Sequence, residues 1–173
     1  LAYFGARHAR TPHGALYLAD ALSQAARDDD ARAEIVLAWR MHSFSRSEQA
    51  IFMREFAPLL ERHTADRLDR LLWRGLTAQA ERLFPYLSAD QRALARARIA
   101  LREGKQGVDA LIAAVPEAFS DDPGLAYERF RWRVDRGLRD SAEALLLDRS
   151  TSAERLGRPS YWGSLRRVLV RDA

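Results

Sequence analysis

Apolar residues recur through most of the chain at steps of three and four, the spacing that gathers them on one side of an α-helix. Phe52, Phe56, Leu59 and Leu60 make one such stripe, and Leu68, Leu71 and Leu72 a second. Leu94, Ala97 and Leu101, then Tyr127, Phe130 and Val134, then Trp162, Leu165 and Leu169 continue the pattern. No segment sustains the apolar-polar alternation of a half-buried strand, and β-branched residues are sparse beside Ala, Leu, Arg and Glu. The pattern predicts an all-α chain with helices near 12–27, 30–42, 46–61, 65–74, 77–84, 89–103, 107–114, 123–136, 139–147 and 159–171.

Polar punctuation agrees with these boundaries. Thr11 precedes Pro12 and Asp122 precedes Pro123, pairing a capping oxygen with a residue whose missing N–H costs nothing in the first turn. Ser45 with Glu48, Ser88 with Gln91 and Thr151 with Glu154 have the spacing of the capping box, and Pro159 opens the last helix. Gly75, Gly104 and Gly137 each follow an amphipathic segment, where a helix ends by taking a left-handed residue.

Those glycines stand 29 and 33 residues apart and mark a degenerate repeat. Before each a bulky residue closes a helix (Trp73, Leu101, Trp132); after each comes a shorter helix with apolar residues at similar offsets, Ala80 and Leu83, Val108 and Ile112, Ala142 and Leu145. Trp39, 34 residues before Trp73, marks a more divergent unit. A period near the ~34 residues of helix-turn-helix repeats predicts an α-solenoid of antiparallel helix pairs, about 10 helices in all, because neither helix of a pair can cover its apolar face alone. Residues 28–30 and 120–124 read as short turns, and no Gly/Ser-rich or Pro-rich linker interrupts the chain, so one domain over 1–173 is expected.

Composition narrows the function classes. With 173 residues, 47% of them apolar, the chain can bury a core, and no run approaches the ~20 consecutive apolar residues of a membrane span. The opening at Leu1 carries no leader pattern, and the end at Ala173 reads as an unfinished helix pair, so a fragment of a longer chain is expected. The absence of cysteine excludes disulfides and thiolate chemistry. A net charge of +4 ordinarily suggests nucleic acid, but Lys105 is the single lysine among 28 basic residues and the arginines are interleaved with 24 acids. That dispersal reads as coding bias, and no nucleic-acid partner is expected.

The chemistry-bearing residues give no catalytic pattern. His8 and His13 are five apart and so on different helix faces, His42 and His63 fall at helix ends, and no H-E-x-x-H run occurs; neither a metal nor a cofactor is expected. No G-x-S-x-G, P-loop or G-x-G-x-x-G is present. Asp28, Asp29, Asp30, Asp121 and Asp122 sit at caps or on polar faces, not where burial would make a carboxyl a general acid. Trp39, Trp73, Trp132 and Trp162, able to stack on sugars, are assigned to packing. The candidate binding residues are Arg129, Arg133 and Arg136: steps of four and three project them together, opposite Tyr127, Phe130 and Val134, as a face for an anionic ligand. A solvated polar face is the plainer alternative.

Several strings resemble the helical domain of soluble lytic murein transglycosylases: RLDRLLWRG (67–75), AERLFPYL (80–87), ALARARIALREG (93–104), GVDALIAAVPEAFSDDPGLAYERFRWRVDRG (107–137) and SAERLGRPSYW (152–162). AWRMHSFSRSEQAIFMREFAPLL (38–60) is similar more loosely, so the likeness spans about 38–171. It implies a periplasmic protein whose Ala-rich superhelix curls into a ring and supports a lysozyme-like catalytic domain. That domain cleaves between N-acetylmuramic acid and N-acetylglucosamine without water or metal, one glutamate serving as acid and then base, and leaves a 1,6-anhydromuramoyl end. The catalytic domain's Glu-Ser pair and Gly-Leu-Met-Gln run are absent here, so no catalytic residue carries over. The expected function is a non-catalytic superhelical segment that supports the catalytic domain and guides glycan strands of peptidoglycan. The repeat length alone leaves an alternative, a tetratricopeptide-like protein interaction scaffold whose groove is lined by adaptable polar and aromatic side chains.

Overall fold

The computed structural model describes residues 8–171, without the side chains at 164, 165 and 168–171. The opening at Leu1, the end at Ala173 and the side chains of Leu165 and Leu169 thus lie outside the described residues. Among the described residues all regular structure is helical: α1 (Pro12–Gln24), α2 (Asp28–Met41), α3 (Arg46–Leu60), α4 (Thr64–Trp73), α5 (Thr77–Glu81), α6 (Ala89–Arg102), α7 (Val108–Ala113), α8 (Pro123–Asp135), α9 (Arg139–Arg149), α10 (Ala153–Leu156) and α11 (Pro159–Arg171). Single 3-10 turns occupy Glu61–His63, Phe84–Tyr86 and Glu117–Phe119.

Side-chain caps mark several of the starts. The Thr11 hydroxyl accepts the Gly14 N–H at 3.1 Å and the Asp122 carboxylate accepts the Leu125 N–H at 2.7 Å. Ser45 with Glu48 and Ser88 with Gln91 close complete capping boxes. Gly75, Gly104 and Gly137 take φ of +72°, +64° and +68°, ending α4, α6 and α8 where the sequence placed the stops.

Three local expectations are corrected. Residues 28–30 form the first turn of α2, where three aspartates face the positive end of the helix dipole. Ser152, not Thr151, caps the helix near 153: its hydroxyl accepts from Arg155 N at 3.3 Å, while Thr151 donates to the Asp148 carbonyl. That helix is the single turn α10, which buries Leu156 and stops at Gly157 with φ +67°. Finally, α3 is kinked at Phe56 (φ −127°, ψ 15°). Pro58 supplies no N–H to the turn below and crowds it, so Phe56 and Leu59 stay half-buried while Phe52 and Leu60 are fully enclosed.

The described residues fall into two compact units, 8–71 with 81–86, and 72–80 with 87–171. In the first, α1 packs along α2 and α2 on α3. Its core is an aromatic nest in which the ring centroids of Phe44 and Phe52 lie 4.7 Å apart and those of Trp39 and Phe44 5.5 Å. Glu34 is buried in the same unit; it accepts the Ala9 N–H and the His8 Nδ1 proton, both at 2.8 Å, and so ties the entering chain to α2. In the second unit α6 packs on α7 and α8, and α8 on α9, α10 and α11. Sequence neighbours pack as pairs in α1 with α2, α6 with α7, α8 with α9 and α10 with α11, and α8 is the helix on which most of the second unit converges. Trp39, Trp73 and Trp162 are buried and Trp132 half-buried, so the tryptophans serve packing.

Candidate functional site

The arginine row predicted on α8 is present but divided. Arg129 and Arg133 lie one turn apart, both half-buried, and burial together with the neighbouring Arg129 charge lowers the proton affinity of Arg133. Arg133 donates to the Ser141 carbonyl at 3.3 Å, which points it toward the start of α9. Arg136 lies past the last helical residue, where the backbone no longer holds the helical register. Its guanidinium rests 4.0 Å from the Trp132 ring centroid and donates to the Gly104 carbonyl at 3.3 Å. The structure therefore brings Arg129 and Arg133 together and sends Arg136 to the loop after α6. Among the described residues no carboxylate pairs with Arg129 or Arg133, so both retain the capacity to bind an anion in the two-pronged manner of guanidinium with carboxylate.

Two buried acids, Glu34 and Glu128, escaped the sequence reading, which placed the carboxylates on polar surfaces. Glu128 is 0% exposed. Its Oε1 accepts Arg102 Nε at 2.9 Å and the Arg102 terminal nitrogen still more closely, and Arg131 stands 3.9 Å from Oε2. Burial pushes its carboxyl above the usual range, against the pull of Arg102, Arg98 and Arg131. Desolvation of this kind equips a glutamate as a general acid. Here, however, no part of the side chain reaches solvent, and the carboxylate fastens α8 to α6 instead of facing a ligand.

Arg98 completes this polar core. It is 2% exposed, lies 3.5 Å from Asp122 Oδ1, and passes so close beneath Gly124 that a Cβ there would stand 2.1 Å from its Cζ. Glycine at 124 is thus dictated by the guanidinium below it.

The first unit contains an open cleft of about 760 Å³ between α1, α2 and α3. Leu16, Tyr17, Ile35, Phe56 and Leu59 provide its apolar lining, and Asp20, Asp28 and Glu55 bring carboxylates from all three helices. The acids are exposed, as an acid in a catalytic pocket is not. The sequence signal for this cleft was Pro58, which marks the kink that leaves Phe56 and Leu59 lining it.

Comparison with known protein families, curated proteins and solved structures returns no match.

The histidines are engaged locally. His8 bonds Glu34, His42 Nε2 donates to the Ala9 carbonyl at 3.1 Å, and His13 leans on Tyr17 with ring centroids 5.8 Å apart. His63 is held below its usual protonation range by burial and by Arg62 beside it. Among the described residues no three His, Asp or Glu side chains converge as metal ligands, and no helix is long and apolar enough to cross a membrane.

Proposed function

We propose that this chain is a non-catalytic superhelical segment of a periplasmic peptidoglycan lytic transglycosylase, supporting a catalytic domain and guiding glycan strands along its surface. The observation that supports this reading is where its most distinctive strings meet. Trp73 from 67–75, Arg98 and Arg102 from 93–104, Gly124, Tyr127 and Glu128 from 107–137, and Gly157 and Trp162 from 152–162 all pack in one unit. Tyr127 lies 5.1 Å from Trp73 and 5.4 Å from Trp162 between ring centroids, and a Cβ on Gly157 would stand 3.2 Å from Trp73. Residues that carry the resemblance are thus the ones that interlock, which is the part of a helical repeat least free to vary without loss of packing.

In this reading Arg129 and Arg133 meet the carboxylates of peptide stems on the glycan. The test is co-sedimentation with insoluble cell-wall sacculi. Wild-type protein is expected in the pellet, and Arg129→Gln with Arg133→Gln is expected to lower the retained fraction several-fold. Retention no greater than that of a neutral control protein removes the guiding role.

A second reading, a tetratricopeptide-like scaffold for a protein partner, is favoured by the α1–α3 cleft, whose mixed aromatic and polar lining suits a peptide. Co-purification of one stoichiometric partner without wall affinity would select it.

A further inference from the structure

We infer that the α1–α3 cleft receives a cationic amphipathic segment, Arg or Lys on one side and aliphatic residues on the other, from a protein partner. The inference rests on the scaffold reading and names the chemistry of its ligand.

Charge is the first argument. The chain carries +4, yet the cleft lining holds three carboxylates, Asp20, Asp28 and Glu55, against one guanidinium, Arg32. Arg32 is already committed to Asp29, a residue outside that lining, at 3.3 Å. Glu55 already meets Arg54 at 2.8 Å, but Asp20 accepts the Gln24 side-chain amide at 2.8 Å, and among the described residues neither Asp20 nor Asp28 has a cationic partner. A mouth that is acidic on an otherwise basic chain repels carboxylate-bearing glycan stems and draws cations.

Shape is the second. About 760 Å³ exceeds what one aliphatic side chain fills, and Tyr17, 67% exposed at the edge, meets His13 at 5.8 Å between centroids and leaves most of its ring to solvent. The lining carboxylates come from three different helices, so a ligand that satisfies them all spans the opening while its apolar side meets Leu16, Phe56 and Leu59. An amphipathic helix with anchors at i, i+3, i+4 and i+7 has that form.

The test uses the full chain and a fluorescein-labelled helical peptide of alternating Leu and Lys faces, read by fluorescence anisotropy near physiological salt. The Lys peptide is expected to bind and its Lys→Glu counterpart not to. Asp20→Asn with Asp28→Asn and Glu55→Gln is expected to weaken binding about tenfold, each exposed pair contributing modestly. Tyr17→Ser, at an exposed position that leaves the fold intact, is expected to weaken it several-fold and decides the matter if the triple variant fails to fold. Asp109→Asn with Glu143→Gln, exposed carboxylates of the other unit, is expected to change nothing. Equal binding by wild type and the cleft variants overturns the inference, as does an equal loss in the control pair. Self-association without peptide that the cleft variants abolish also overturns it, because the occupant is then a second copy. A scaffold that grips its partner elsewhere is told apart by co-purification that survives the cleft variants.

Discussion

Arg67 in the first unit and Arg98 in the second are both shut away from water, at 1% and 2% exposure, yet they are compensated differently. The Arg67 guanidinium lies 4.4 Å from the ring centroids of both Trp39 and Phe44 and donates to the carbonyls of Trp39 and His42, the latter at 3.0 Å. Ring faces and main-chain dipoles are among its counterweights. Arg98 and its neighbour Arg102 instead meet carboxylates, Asp122 and Glu128. The contrast separates two kinds of buried charge. Contacts with ring faces and carbonyls are simply lost when a guanidinium is deleted, whereas a buried carboxylate such as Glu128 is half of a pair whose other half cannot be left behind.

The sharpest way to break the comparison is to strand a partner. Glu128→Leu should cost about 3–5 kcal/mol, read by urea denaturation, and adding Arg102→Met should recover most of it. If the double variant is no more stable than Glu128→Leu alone, the ion pair is not the reason for the loss. Next in size is Gly124→Ala, which drives a methyl into the Arg98 guanidinium and should cost about 2 kcal/mol in the second unit. Native-state hydrogen exchange should place that loss in amides of 87–171. Arg67→Met keeps the bulk and the aromatic packing while removing a charge, so it should cost about 1–2 kcal/mol, less than Glu128→Leu. A cost equal to that of Glu128→Leu would erase the distinction between the two cores.

Smaller effects lie at the caps. Ser45→Ala should cost about 1 kcal/mol by removing the acceptor for the Glu48 N–H. Glu48 itself is held below its ordinary value of 4.5, chiefly by its bond from the Ser45 backbone N–H. A carboxyl depressed on folding adds stability above the unfolded value and loses it as pH falls through the folded one. Acid titration of stability should therefore show a small decline below about pH 4.5 that Glu48→Gln, which keeps the bond without titrating there, flattens.

What the sequence made legible was local. Caps and stops depend on residues three or four apart, so Thr11, Ser45, Ser88, Asp122 and the three repeat glycines announced themselves. Arg129 and Arg133 followed from helical spacing, and Arg136 departed because it lies beyond the last turn. Ser152 and Thr151 are adjacent and chemically similar; the burial of Leu156 selects the former, and burial is not a local property. The charged cores were hidden for the same reason. Ala9 and Glu34 are 25 residues apart, Arg102 and Glu128 26, Arg67 and the Trp39 carbonyl 28, so nothing in the neighbourhood of Glu128 distinguishes it from a surface acid. Pro58 was visible, but the apolar stripe through Phe56 and Leu59 concealed that a kink would leave them lining a cleft.

In the proposed reading the described acids of this chain are structural or lie on its surface, and none is the agent of bond cleavage. Incubating the purified chain with sacculi and analysing the soluble fraction for 1,6-anhydromuropeptides tests that claim most directly. The expected result is no product above a buffer blank while the protein itself sediments with the wall; anhydro products that disappear in Glu128→Gln would contradict it.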